Sequence, residues 1–112
     1  MIRNTVAVTV FLIASLLSAH AEKSRQFSCT GSMIEPTSLA PSPRNVKLTL
    51  GSAQNVGIDL GQGSSNARVL SNNRIQLKFR TKDFVGEFFH YTGDLFLIYN
   101  SGHLARLTCS PQ

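Results

Sequence analysis

The chain has 112 residues, a formal net charge of +5, two cysteines and no tryptophan. A chain of this length supports one hydrophobic core, which excludes a second domain of ordinary size. The positive charge favours anionic partners, but charge alone does not identify one.

The first residues carry an export pattern. Arg3 is followed by an apolar run over 6–17 and by a small-residue site that ends at Ala21. This arrangement is typical of a secretory signal peptide, and the run is shorter than the roughly 20 apolar residues of a membrane-spanning helix. We expect cleavage after Ala21, so that 22–112 form one periplasmic or secreted domain without a stable membrane anchor. A retained amino-terminal anchor is the alternative.

Two cysteines, Cys29 and Cys109, lie near opposite ends of the segment that remains after cleavage. Export delivers them to an oxidising compartment, where we expect them to pair with each other. A bridge that closes so long a loop removes about 4–5 kcal/mol of unfolded-chain entropy, comparable with the whole stability of a small domain. The close spacing of redox or metal-binding thiol pairs is absent from the sequence.

Alternating apolar residues predict half-buried strands along most of the domain. Phe27, Cys29 and Met33 share one face of the first strand. Residues 35–43 contain three of the four prolines, which cannot donate regular ladder bonds, and we predict an exposed loop there. Two amphipathic strands follow, and then a weaker one near 67–70. Their apolar positions are Val46, Leu48 and Leu50, then Val56, Ile58 and Leu60, then Ala67 and Val69.

The carboxy-terminal third has the most regular pattern. Apolar residues alternate over 75–79, and the segment 84–91 follows a short turn. The run 95–99 is almost continuously apolar, which predicts that both of its faces are covered. In the last strand, Cys109 shares a face with Leu107, so its parity agrees with a buried bridge.

About eight short strands with hairpin-length turns predict an all-β fold. It is either a small antiparallel barrel or a two-sheet β-sandwich. The terminal disulfide favours the barrel, because the first and last strands of a closed up-and-down barrel are neighbours.

Basic residues alternate along the strand that begins near residue 74. Arg74, Lys78 and Arg80, with Lys82 just beyond, are predicted to share one face. They are candidates for binding the phosphates or carboxylates of an anionic partner, and a solvated outer face is the alternative. Nucleic-acid binding is not expected, because Phe79 falls on the opposite face and cannot stack beside them.

Aromatic residues are concentrated in one predicted hairpin, where they could line an apolar ligand cavity or simply form a packed core. The candidates are Phe88, Phe89, Tyr91, Phe96 and Tyr99.

Catalytic and metal-binding patterns are missing from the domain. His90 and His103 have no second ligand at a metal spacing. Serines in the glycine-containing turns do not lie in a G-x-S-x-G motif. We therefore expect no enzyme activity, no metal site and no cofactor.

Three short motifs carry a family resemblance. They are Phe27-Ser28-Cys29-Thr30-Gly31, Tyr91-Thr92-Gly93-Asp94-Leu95 and Leu107-Thr108-Cys109. Together they resemble small exported proteobacterial proteins of uncharacterised function, a resemblance that implies no activity. More loosely, the chain is similar to the periplasmic inhibitors of c-type lysozyme, which are small antiparallel barrels with a terminal cysteine bridge. Their inhibitory loop has a Ser-Gly-x-x-Tyr motif. Here Ser101-Gly102-His103-Leu104-Ala105 has no tyrosine at that position, so the likeness implies the architecture only.

The leading functional hypothesis is a non-enzymatic binding or structural domain for an anionic envelope component or a protein. A small hydrophobic-ligand carrier and an inhibitor of c-type lysozyme are the alternatives.

Overall fold

The computed structural model describes residues 24–51 and 55–112. In this part of the chain all regular structure is β, and there is no helix. The predicted signal peptide, residues 1–21, lies outside the described residues. None of the described residues belongs to a helix long and apolar enough to cross a membrane.

Eight strands follow one another along the chain and close into a barrel. Each pairs antiparallel with the next, and the eighth pairs with the first. The predicted barrel is therefore confirmed, and the alternative sandwich is wrong. The strands are β1 (Arg25–Glu35), β2 (Ser38–Leu50), β3 (Val56–Asp59), β4 (Ser64–Asn72), β5 (Gln76–Arg80), β6 (Phe84–Phe89), β7 (Asp94–Tyr99) and β8 (Leu104–Pro111).

The predicted disulfide joins the two strands that close the barrel. Cys29 of β1 lies directly opposite Cys109 of β8, and the two are bonded. Cys29 is completely buried and Cys109 is 7% exposed, so the predicted inward parity of both residues is also confirmed. Strand pairing and the covalent bond thus reinforce the same closure.

The core is formed by the inward residues of seven strands, because alternate side chains of a strand point to opposite faces, and β4 adds the partly buried Ala67 and Val69. Its buried side chains are all apolar. They are Phe27, Cys29, Met33, Val46, Leu48, Val56, Ile58, Leu77, Phe79, Phe84, Phe88, Leu95, Leu97, Ala105, Leu107 and Cys109.

Gly86 makes room for the buried ring of Phe79. It lies opposite Phe79 in the β5–β6 pair, and the Phe79 ring is completely buried. A Cβ atom at Gly86 would meet three atoms of that ring, including Cε1 at 2.8 Å. A residue without a side chain is therefore required here for the ring to lie against the β6 backbone.

The predicted proline-rich loop at residues 35–43 is wrong, since most of it belongs to β2. Ser42 and Pro43 pair with Met33 and Ser32 of β1, so the chain turns back directly after Glu35. Pro43 has no N–H to give to Ser32, so its nitrogen faces away from β1. That side is open, because β3 pairs only with residues 47–50 of β2.

The prediction that both faces of β7 are covered is also wrong. A single closed sheet has one interior, so the outward side chains of β7 face solvent. Ile98 is 44% exposed. It is directly paired with Val85 and Leu104, and Leu104 with Ile34, which forms an apolar row across four strands.

Candidate functional site

The predicted apolar cavity does not form, because strand alternation separates its candidate residues. Phe88 points into the core, and Tyr99 packs against it. Phe89 and Phe96 pack edge to face on the outer surface, with ring centroids 6.0 Å apart. Tyr91 lies in the β6–β7 turn and is 80% exposed. The five aromatic residues therefore do not surround a common space.

The barrel interior is filled by the core side chains. A cavity of about 60 Å³ beside Met33, Val46 and Tyr99 is large enough only for water molecules. A small hydrophobic ligand needs a pocket of at least about 300 Å³. The space found in the barrel interior is therefore too small for such a ligand.

The four basic candidates occupy three places rather than one face. Lys78 and Arg80 lie on the outer face of β5, as predicted. Arg74 precedes β5 in the β4–β5 turn, and Lys82 follows it in the β5–β6 turn at the other end of the barrel. The prediction that all four share one strand face is wrong, because β5 is only five residues long.

Lys78 is partly neutralised by a neighbouring carboxylate. Its Nζ atom lies 3.9 Å from Oε2 of Glu87 on β6. Oε1 of Glu87 accepts a hydrogen bond of 3.0 Å from Nε2 of Gln76. Lys78 and Glu87 are directly opposite in the sheet, so the register brings this pair together.

Arg80 instead faces another arginine. The β4–β5 register places Arg68 directly opposite it, and both side chains are exposed. On the other side, Arg80 is paired with Val85. The one ion pair among the described residues is that of Lys78 and Glu87. Like charges directly opposite each other destabilise a sheet, so the Arg68–Arg80 pair costs stability in the free protein.

We call Arg68, Lys78 and Arg80 the basic face. Sequence analysis missed Arg68, although its position between Ala67 and Val69 on a strand predicts an outward side chain. Its partner could not be read from the sequence, because a bulge between Val69 and Ser71 shifts the β4–β5 register.

Arg74 belongs to a separate group of polar residues at one end of the barrel. This end, which we call the upper end, carries the β2–β3, β4–β5 and β6–β7 turns. A surface cleft of about 570 Å³ lies there between the last two turns. It is lined by Arg25, Asn72, Asn73, Arg74, His90 and Tyr91.

The opposite end, the lower end, is held by hydrogen bonds between two turns. The Asn100 N–H donates to Asp83 O at 2.9 Å, and Asn100 Nδ2 donates to Lys82 O at 3.1 Å. Ser101 Oγ lies 2.8 Å from His103 Nδ1 in the exposed β7–β8 turn. These contacts order the rim of the barrel around Ser101.

The carboxylates are dispersed, and some have structural roles. Oδ1 of Asp59 accepts the N–H groups of Gly61 and Gly63, at 2.8 and 3.2 Å, within the β3–β4 turn. Within residues 24–51 and 55–112, no three side chains of His, Cys, Asp or Glu converge as metal ligands would. Positively charged side chains are grouped at two candidate sites on the surface, the basic face and the upper-end cleft. No protein-family model, curated protein or solved structure matches the chain.

Proposed function

We propose that the chain is a periplasmic or secreted, non-enzymatic domain that binds an anionic component of the cell envelope through the basic face. The observation that carries this proposal is the exposed pair of Arg68 and Arg80, directly opposite each other on β4 and β5. A bound phosphate or carboxylate group would relieve their repulsion and accept hydrogen bonds from both guanidinium groups.

Two further features support binding on the outside of a stable exported scaffold. The core side chains fill the interior, so the outer face and the ends of the barrel are the surfaces available to a ligand. The Cys29–Cys109 bridge fits an oxidising compartment, which agrees with the export signal expected from the sequence.

The proposal is tested by flotation of the purified, oxidised protein with lipid vesicles. Phosphatidylcholine vesicles with and without phosphatidylglycerol supply neutral and anionic surfaces. Each arginine near an anionic surface contributes about 1 kcal/mol, so Arg68→Ser/Arg80→Ser should weaken binding to anionic vesicles roughly 30-fold. The matched control, Arg44→Ser/Lys47→Ser, removes the same charge from β2 and should have a much smaller effect.

Stability provides an independent readout of the same pair. Because like charges opposite each other are destabilising, Arg80→Ser should raise the free energy of unfolding by a few tenths of a kcal/mol while it weakens binding. Equal losses of vesicle binding in the two double variants would show a response to net charge only, and the basic face would be rejected. An absence of binding to anionic vesicles at low salt would reject it as well.

A second candidate function is inhibition of c-type lysozyme. It is supported by the architecture alone, an eight-stranded barrel with a terminal bridge. Purified protein should then slow the lysis of cells by c-type lysozyme. Undiminished lysis at a large molar excess would exclude this function.

A further inference from the structure

We propose that the cleft at the upper end of the barrel binds an acidic saccharide, a sugar that carries a phosphate or carboxylate group. This site lies at the end of the barrel, away from the Arg68–Arg80 pair, and does not rest on the function proposed above. In this assignment Arg25 and Arg74 bind the anionic group. Asn72, Asn73 and Tyr91 contact the sugar.

The charge of the cleft is entirely basic. Two of its six lining residues are arginines, and none is acidic. The Arg25 guanidinium lies 5.4 Å from the centroid of the Phe27 ring, which holds it over the end of the barrel. Desolvation by burial and the charge of Arg25 lower the pKa of His90, against a smaller opposing effect of a hydrogen bond with the Asn73 backbone. An anion entering the cleft therefore meets two guanidinium groups, and no Asp or Glu side chain lines the cleft.

The walls of the cleft are ordered by hydrogen bonds within the protein. Oδ1 of Asn73 accepts the N–H groups of Ile75 and Gln76, both at 2.9 Å. The His90 N–H donates to Ile75 O at 3.0 Å and thus joins the β4–β5 and β6–β7 turns. The His90 ring is hydrogen-bonded at 3.0 Å to Oδ1 of Asn72. Because these contacts exist in the free protein, a ligand does not have to order the turns when it binds.

The remaining lining groups suit a sugar better than a bare anion. Tyr91 is 80% exposed, so its ring is available to pack against the C–H face of a pyranose. The side-chain amides of Asn72 and Asn73 supply N–H donors that match sugar hydroxyl groups. The cleft is shallow and open to solvent, so a mono- or disaccharide could lie along it with one face exposed. A site for inorganic phosphate alone would not need the exposed ring.

The test is an NMR titration of the purified, oxidised protein, in which backbone amide shifts are followed. The probes are glucose 1-phosphate, glucuronic acid, glucose and inorganic phosphate. We expect saturable shifts around residues 72–74 and 90–91 with one or both charged sugars. The preferred probe identifies the anionic group as phosphate or carboxylate. Glucose and inorganic phosphate should bind at least tenfold more weakly than that probe.

Two variants separate the charge from the sugar contact. Arg25→Ser/Arg74→Ser should weaken binding of the preferred charged sugar at least tenfold, whereas Arg44→Ser/Lys47→Ser leaves it within twofold. Tyr91→Ala should weaken binding of the charged sugar severalfold and leave inorganic phosphate unchanged. The spectrum of each variant reports whether its fold is intact. The proposal is overturned if neither charged sugar saturates, or if inorganic phosphate binds as tightly as the preferred sugar.

Discussion

The contact between Gly86 and Phe79 yields the sharpest prediction for the barrel. In Gly86→Ala the new methyl group would collide with three atoms of a completely buried ring. Overpacking of this kind lowers the free energy of unfolding by about 1–3 kcal/mol. Replacing glycine by alanine also lowers the entropy of the unfolded chain, which offsets about 0.4–1 kcal/mol of this loss. We expect a net loss of about 1–2 kcal/mol in the free energy of unfolding, measured by urea denaturation. For a domain of this size the melting temperature should fall by roughly 5–15 °C.

A double-mutant cycle tests the physical reason for this loss. Phe79→Leu removes the ring atoms that the methyl group would meet, so Gly86→Ala should cost at least about 1 kcal/mol less in that background. Gly57→Ala is the matched control, because a Cβ there lies 3.2 Å from a flexible Ser64 hydroxyl and 3.6 Å from Thr49 Cβ. Its effect should stay within about 0.5 kcal/mol. If the losses from Gly86→Ala and Phe79→Leu simply add, the reasoning about the ring contact is refuted.

Two other perturbations test the bridge and the upper end. Cys29→Ala/Cys109→Ala opens a loop with a sequence separation of 80, so the free energy of unfolding should fall by about 4–5 kcal/mol in urea denaturation. A loss below about 1 kcal/mol would contradict the loop-entropy argument. The pKa of His90, lowered by burial and by Arg25, should lie below 6.5 in an NMR titration of the imidazole and should rise in Arg25→Ser. With a lowered pKa in the folded protein, His90 binds a proton more readily in the unfolded chain. The free energy of unfolding should therefore decrease as the pH falls through 6.5 towards the folded pKa. A measured His90 pKa at or above 6.5 would contradict this.

Most of the barrel could be predicted from the alternation of apolar residues. Phe27, Cys29 and Met33 alternate along β1, and Leu107 and Cys109 along β8. Since side-chain direction in a strand has a period of two, this pattern was enough to place both sulfur atoms inside. Side-chain direction also alternates in β7, but there the outward residues Phe96 and Ile98 are apolar, so the sequence does not show which face is exposed. Composition alone does not distinguish a strand buried on both faces from one with an exposed apolar face.

The candidate sites were less accessible to sequence analysis because they depend on register and on turns. Arg68 and Arg80 are twelve residues apart and become neighbours only through a bulged β4–β5 pairing. Arg25 and His90 come close because β1 begins, and β6 ends, at the same end of the barrel. Neither relationship leaves a periodic signal in the sequence. The charges of these residues are evident from the sequence, but their neighbours can be identified only in the folded structure.

Pro43 of β2 has a consequence for self-association. The stretch of β2 before Lys47 has a partner on one side only among the described residues, so its other edge is a template for strand addition by a second molecule. Pro43 turns its nitrogen towards that edge. An incoming strand would find no N–H donor at Pro43 and could not complete its ladder there. Pro43, one of the prolines that led to the prediction of a loop, thus also hinders edge-to-edge aggregation of β2.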